Sequence, residues 1–280
     1  MVADEPLWLR LTLIGLAYVV IGLLIVIPIG YVFYIALADG WDAFVKNVWN
    51  DRDTRHSIWL TMTVAPVAVL LNTIFGLAAA WTITRFQFPG RTLLTTLLDI
   101  PFAISPVVVG LMIMLIFGMK GFFGPFLRDH GIKVIFAWPA LVLATTFVTL
   151  PFVARELIPL MQSLGNEEET AAVSLGANAW QLFWRITLPN IKWGLVYGII
   201  QCHARAIGEF GAVYVVSGHI AGETDTMALR VEKLFQEYNN PGSFAVASLL
   251  TLMALATLLG KFVLEQYIAR QMALSQQEAE

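Results

Sequence analysis

Long uncharged runs alternate with short charged clusters along this chain. Uninterrupted runs cover 11–38, 57–84, 100–119 and 134–154. A fifth run, 193–218, is apolar but carries His203, Arg205 and Glu209, and a sixth, 238–260, continues into Lys261. A helix needs about 20 apolar residues to cross the hydrocarbon core of a bilayer. The pattern therefore predicts six transmembrane helices, at approximately 11–38, 57–84, 93–119, 134–154, 191–218 and 238–269, in one domain over 1–280. The expected fold class is an all-α polytopic membrane protein with both termini on one side. Ala36-Leu37-Ala38 mimics a signal cleavage site, but the 28 uncharged residues from Leu11 to Ala38 exceed the roughly 7–15 of a signal peptide core, so a retained helix is expected.

The stretch between the fourth and fifth runs, 155–190, is the longest segment outside them. Its centre reads EEETAAVSLGANAWQLFWRITLPNI, from Glu167 to Ile191. Asn166 before three glutamates has the pattern of a helix N-terminus, with Glu169 placed to complete a capping box. Gly176 is a natural residue to end that helix near Leu175. Asn178 with Gln181 three residues on repeats the start signal, and Pro189 is expected to end the second helix. Ala171 and Ala172 leave a face another surface could approach closely. The result is a helix–glycine–helix knuckle outside the lipid, with no nucleophile–base pair and no ligand cluster. Gly176 is expected to have no room for a bulky side chain.

Composition agrees with a membrane chain. Of 280 residues 13% are charged, about half the usual share for soluble domains, and the mean hydropathy is +0.72. The net charge of −3 gives no reason to expect nucleic acid. The lone Cys202 excludes an intrachain disulfide, and His56, His130, His203 and His219 lack partners at metal-ligand spacing, so no metal site is expected. Sidedness does not follow from lysine and arginine, which divide eight against eight between the two faces with Arg205 inside a span. Pro66, Asn72 and Gly76 in the second run, and Pro101, Ser105, Pro106 and Gly110 in the third, serve either close helix packing or a pathway lining.

The motif Glu-Ala-Ala-x3-Gly-x9-Ile-x-Leu-Pro is the signature loop of bacterial ABC-importer permease subunits. This chain resembles it at Ala171, Ala172, Gly176, Ile186, Leu188 and Pro189, with Thr170 at the glutamate position and Glu169 displaced by one residue. Segments 136–159, 204–218 and 222–254 resemble the sulfate/thiosulfate branch of these permeases, closest to CysW-type subunits. The resemblance implies a type I importer permease fold in the bacterial inner membrane, with a cytoplasmic coupling helix in 155–190 and cytoplasmic termini. It implies a homologous CysT-type permease, a CysA-type ATPase dimer and a periplasmic sulfate- or thiosulfate-binding protein as partners. Import by alternating access would follow, with ATP and magnesium held by the ATPase. A molybdate or tungstate importer is the near alternative, and a stand-alone secondary anion transporter the distant one.

Two residue-level observations stand beside the resemblance. The only Gly-Lys pair, Gly260-Lys261, has Leu255 and Phe262 where a phosphate-binding loop needs glycine and serine or threonine, so ATP chemistry by that motif is not expected here and the chain reads as non-catalytic. Arg205 falls about 18 Å along a helix starting at Trp193, near the middle of a core about 30 Å thick. A charge there costs about 2.5–3.5 kcal/mol on insertion scales. Glu209, four residues on, can neutralise it. The pair is either a structural tie or, with Ser105, part of an anion pathway.

Overall fold

The computed structural model describes residues 7–277, and its regular elements are helical. Among the described residues four helices are long and apolar enough to cross a membrane: Leu7–Leu37, Arg52–Arg85, Trp138–Leu164 and Asn240–Ile268. A fifth crossing arises only if Arg91–Ala103 and Pro106–Phe117 count as one bent unit. The continuous span expected over 93–119 is in fact two helices bent by 110°. Ser105 between them is extended at φ −58°, ψ 135°, because the ring of Pro106 pushes the preceding residue out of the helical region.

The span expected over 191–218 is also broken. Leu188–Ile207 ends at Gly208, and Gly211–Ser217 begins a separate helix. The fourth helix, by contrast, runs on to Leu164, past the boundary expected at 154, so the connecting segment starts at Gly165 and not at 155.

Two prolines, Pro28 and the expected stop Pro189, are carried through by wide turns. π turns occupy Gly22–Val26 and Phe183–Thr187, just ahead of Pro28 and Pro189. A π turn moves the carbonyl that the proline ring would otherwise strike, and proline has no N–H to place in the ladder. The path from Ala179 to Ile207 is therefore continuously helical, which corrects the expected stop before Pro189.

Arg52–Arg85 is the central helix. Leu60 and Val64 pack with Val109, Leu141 and Val213 in one buried cluster, and Val69 and Ala80 pack with Val153, Leu157, Ile191 and Cys202 in a second. Small residues allow the approach: a Cβ on Gly76 would lie 2.8 Å from Val153 Cβ and 3.0 Å from Ala154 N. Beside it buried Asn72 donates to Thr149 Oγ1 at 2.7 Å and to the Thr146 carbonyl at 3.1 Å. The two breaks also meet. A Cβ on Gly110 would lie 2.7 Å from the Ala212 carbonyl oxygen, and one on Gly211 would lie 2.9 Å from Pro106 Cβ.

The start of the central helix is held by charge. Asp51 caps it, accepting from the Asp53 and Thr54 N–H groups at 3.3 Å, and receives Arg230 Nη2 at 2.6 Å. Buried Arg230 comes from Met227–Gln236, and its Nη1 lies 3.9 Å from Asp53. Partial burial alone would raise the Asp51 carboxyl, but hydrogen bonds from Thr54 and Arg230, the Arg230 charge and the Asp53 N–H hold it below the usual carboxylate range. Asp225, fully buried close by, is pushed the other way by burial.

Two outcomes are expected. Gly76→Val should lower the thermal midpoint of the solubilised protein by the equivalent of about 1–3 kcal/mol, whereas Gly15→Val, where a Cβ meets nothing within 4 Å, should leave it unchanged. Because the Asp51 carboxyl is depressed in the folded state, its contribution is complete above the unfolded carboxylate pKa and is lost as pH falls through the folded value. Melts recorded from about pH 6 down to about pH 3 should therefore show an acid-side loss that shrinks in Asp51→Asn.

Candidate functional site

The knuckle forms as helix Glu167–Ser174, a glycine turn, and the Ala179–Leu182 start of the long helical path. Gly176 sits at φ +89°, and the Ala177 N–H reaches the Ala172 carbonyl at 3.0 Å while the Gly176 N–H reaches that of Val173. These two bonds satisfy the last carbonyls of the short helix in the pattern a left-handed glycine permits. The expectation that Gly176 lacks room is corrected, since a Cβ there would meet nothing within 4 Å. What the position demands is the left-handed backbone. Asn178 and Gln181 form the expected capping box, at 2.9 and 3.1 Å.

The first helix is not capped as its sequence suggests. Asn166 makes no side-chain cap, and Glu169 turns inward. Its carboxylate takes Arg85 in a two-pronged contact, Nε at 2.8 Å and Nη2 at 3.1 Å, and accepts the Thr187 hydroxyl at 2.9 Å. Both side chains of the pair are 12% exposed. A forked guanidinium is a stronger partner for carboxylate than one backbone N–H, so the tertiary contact wins. Arg85 also donates to the Met161 carbonyl at 3.2 Å, and Asn190 donates to Glu168 at 2.5 Å. The knuckle is thereby tied to the end of the central helix, to Trp138–Leu164 and to Leu188–Ile207.

Among the residues of the sequence motif, Thr170 is exposed and bonds back to the Asn166 carbonyl at 2.8 Å. Ala171 and Pro189 are exposed, whereas Ala172, Ile186 and Leu188 are half-buried. Val173, Leu175 and Trp180 present exposed apolar surface, Leu175 at 90%. Phe183 stacks on Trp81 of the central helix at 5.1 Å, seating the second arm. Arg85, Thr187 and Asn190 escaped the sequence reading. Their only signals there are a basic residue closing an uncharged run and two ordinary polar residues.

The Arg205–Glu209 pair forms, but across a break and not along a helix. Arg205 Nη1 lies 2.7 Å from Glu209 Oε2, and Glu209 stands in the gap after Ile207. Its Oε1 accepts the Ala212 N–H at 3.0 Å, satisfying a backbone donor freed by the break. The Glu209 side chain is 1% exposed and that of Arg205 36%. Thr61, Thr145 and Thr226 surround Glu209 around a cavity of about 10 Å³. That volume holds at most one water. Ser105 occupies the other break, exposed, and among the described residues no hydrogen bond or ion pair joins it to Arg205 or Glu209.

A bundle of apolar helices with paired breaks and a polar knuckle defines a multi-pass membrane permease. Residues 72–271 match the family described as binding-protein-dependent transport system inner membrane component, and the chain belongs to that family. It is 50% identical over 271 residues to the sulfate transport system permease protein CysW of Escherichia coli (strain K12), covering 97% of this chain and 93% of that protein. It is 35% identical over 255 residues to CysT, a sulfate transport system permease protein of the same organism, covering 89% and 92%. At the level of fold, a crystal structure of a bacterial ABC transporter that imports the acidic polysaccharide alginate superposes with a TM-score of 0.76 at 17% identity, covering 94% of this chain and 96% of that one.

Glu169→Gln should loosen the knuckle without unfolding the bundle. A charged hydrogen bond contributes about 1.5–3 kcal/mol, so amide exchange across Glu167–Ser174 should accelerate by about ten- to a hundredfold. Exchange within Trp138–Leu164 should stay at its original rate.

Proposed function

We propose that this chain is the membrane-spanning permease subunit of an ATP-driven importer of sulfate or thiosulfate. The carrying observation is the near full-length similarity to CysW proteins, at 50% identity over 97% of the chain. The knuckle supports it: a rigid, tied-down loop with exposed Val173, Leu175 and Trp180 suits docking of an ATPase subunit. Glu169 is committed to Arg85 in this reading, so it does not replace the glutamate absent at Thr170 on the docking face. Partners would be a CysT-type permease, a CysA-type ATPase dimer that binds ATP and magnesium, and a periplasmic binding protein for the anion.

In this arrangement the two broken units, 91–117 and 188–217, each cross once beside the four long helices, so that the 165–190 segment and both termini face the cytoplasm and the end bearing Asp51 and Arg230 faces the periplasm. The cavity beside Glu209 is too small for an oxyanion. The anion would then pass along a face shared with the companion permease, where half-exposed Arg205 and exposed Ser105 can reach it. Glu209 tempers the arginine, so the dianion is held weakly enough to be released. Movement of the docked knuckle reaches the membrane through Arg85 and the helical path from Ala179, and alternates access between the two sides.

Labelled sulfate uptake into proteoliposomes containing all four components should require ATP, and excess thiosulfate should block it while molybdate does not. Block by molybdate instead would favour the molybdate or tungstate importer. Uptake by this chain alone, indifferent to ATP, would overturn the proposal in favour of a secondary carrier.

A further inference from the structure

At the end remote from the knuckle the protein leaves an apolar groove unfilled. Trp41–Val45 and the π turn Lys46–Asn50 form one short segment in which positions 41, 44, 45, 48 and 49 share a face. That face does not close on the bundle. Between Trp41, Val48 and Trp49 on one side and Ile58, Leu252 and Met253 on the other lies a cavity of about 330 Å³. Its apolar walls offer water almost no hydrogen-bonding partner. Its rim is open, since Trp41, Trp49 and Leu252 are all exposed.

Charge beside the rim says what kind of molecule enters. Lys46 lies on the segment itself, and Arg52 and Arg55 lie in the first turn of the central helix, all three exposed. Arg55 precedes the groove residue Ile58 by three positions, so it stands one turn beyond it on the same face. Among the described residues none of these three cations forms an ion pair. The neighbouring Asp51 and Asp53 both face Arg230 and not these three side chains. Lys46, Arg52 and Arg55 thus stand exposed beside the rim and, among the described residues, without an ion-pair partner. Exposed Trp41, Trp49 and Trp59 at the same end are the residues that settle at the level of lipid headgroups.

We infer that this groove binds an anionic phospholipid, with an acyl chain between Trp49 and Met253 and the phosphate against Lys46 and Arg55. An acyl chain is narrow enough to enter and apolar enough to stay. The inference rests on membership of an inner-membrane family and not on which anion is carried.

The assembled transporter would be reconstituted in vesicles with phosphatidylglycerol or phosphatidylcholine bearing a photoreactive group on the acyl chain, and the labelled peptides mapped. Phosphatidylglycerol should label the stretches around Val48 and Met253. Lys46→Gln with Arg55→Gln should lower that labelling about tenfold, and Val48→Trp, which plugs the groove, should abolish it. ATP-dependent uptake, measured in the same vesicles, reports assembly of each variant, and the double surface variant keeps the test sound should Val48→Trp fail to assemble. Equal labelling by phosphatidylcholine, labelling unchanged in the double variant, or capture of the companion permease by a photoreactive residue at position 49 would each overturn the inference. Failure of uptake with groove labelling intact would count against the transport reading alone.

Discussion

Two guanidinium–carboxylate contacts, Arg230 to Asp51 at one end and Arg85 to Glu169 at the other, hold the Arg52–Arg85 helix about 50 Å apart along its axis. Between them the helix has almost no charge to orient it. Its position is set by close approach, as at Gly76 against Val153, and by the Asn72 hydrogen bonds. Dispersion contacts alone would let apolar helices slide, whereas a charged pair at each end has one good geometry. The knuckle at one end and the groove segment at the other therefore take their places from the same helix.

The breaks in the bundle follow from the same economy of polar groups. Backbone at membrane depth must find partners within the protein, and a broken helix creates orphans. Here Glu209 supplies one acceptor to the Ala212 N–H while its other oxygen meets Arg205. The helices that follow the two breaks lie against each other, with Gly110 close to Ala212 and Gly211 close to Pro106. A charge pair that looked like an isolated cost in the sequence is thus also the seal of a helix break. That dual use explains why Glu209 is almost wholly buried while Arg205 keeps a third of its surface open.

Much of the candidate site was readable in advance where the cause is local. The Asn178–Gln181 capping box and the left-handed Gly176 depend on residues within one or two turns, and both formed as expected. Glu169 did not follow its local signal, because Arg85 lies 84 positions away and no short-range pattern announces it. Pro189 misled in the opposite sense: a local stop signal was absorbed by a π turn.

The sequence by itself determined that the chain is an apolar helical bundle with a structured polar knuckle, since hydropathy and capping depend on residue type and near neighbours. Only the tertiary structure decided where the third and fifth runs break, that the capping glutamate serves as an anchor, and that a groove stays open beside Trp49. Those outcomes turn on which surfaces meet across the bundle, a competition among distant contacts that periodicity along the chain does not record.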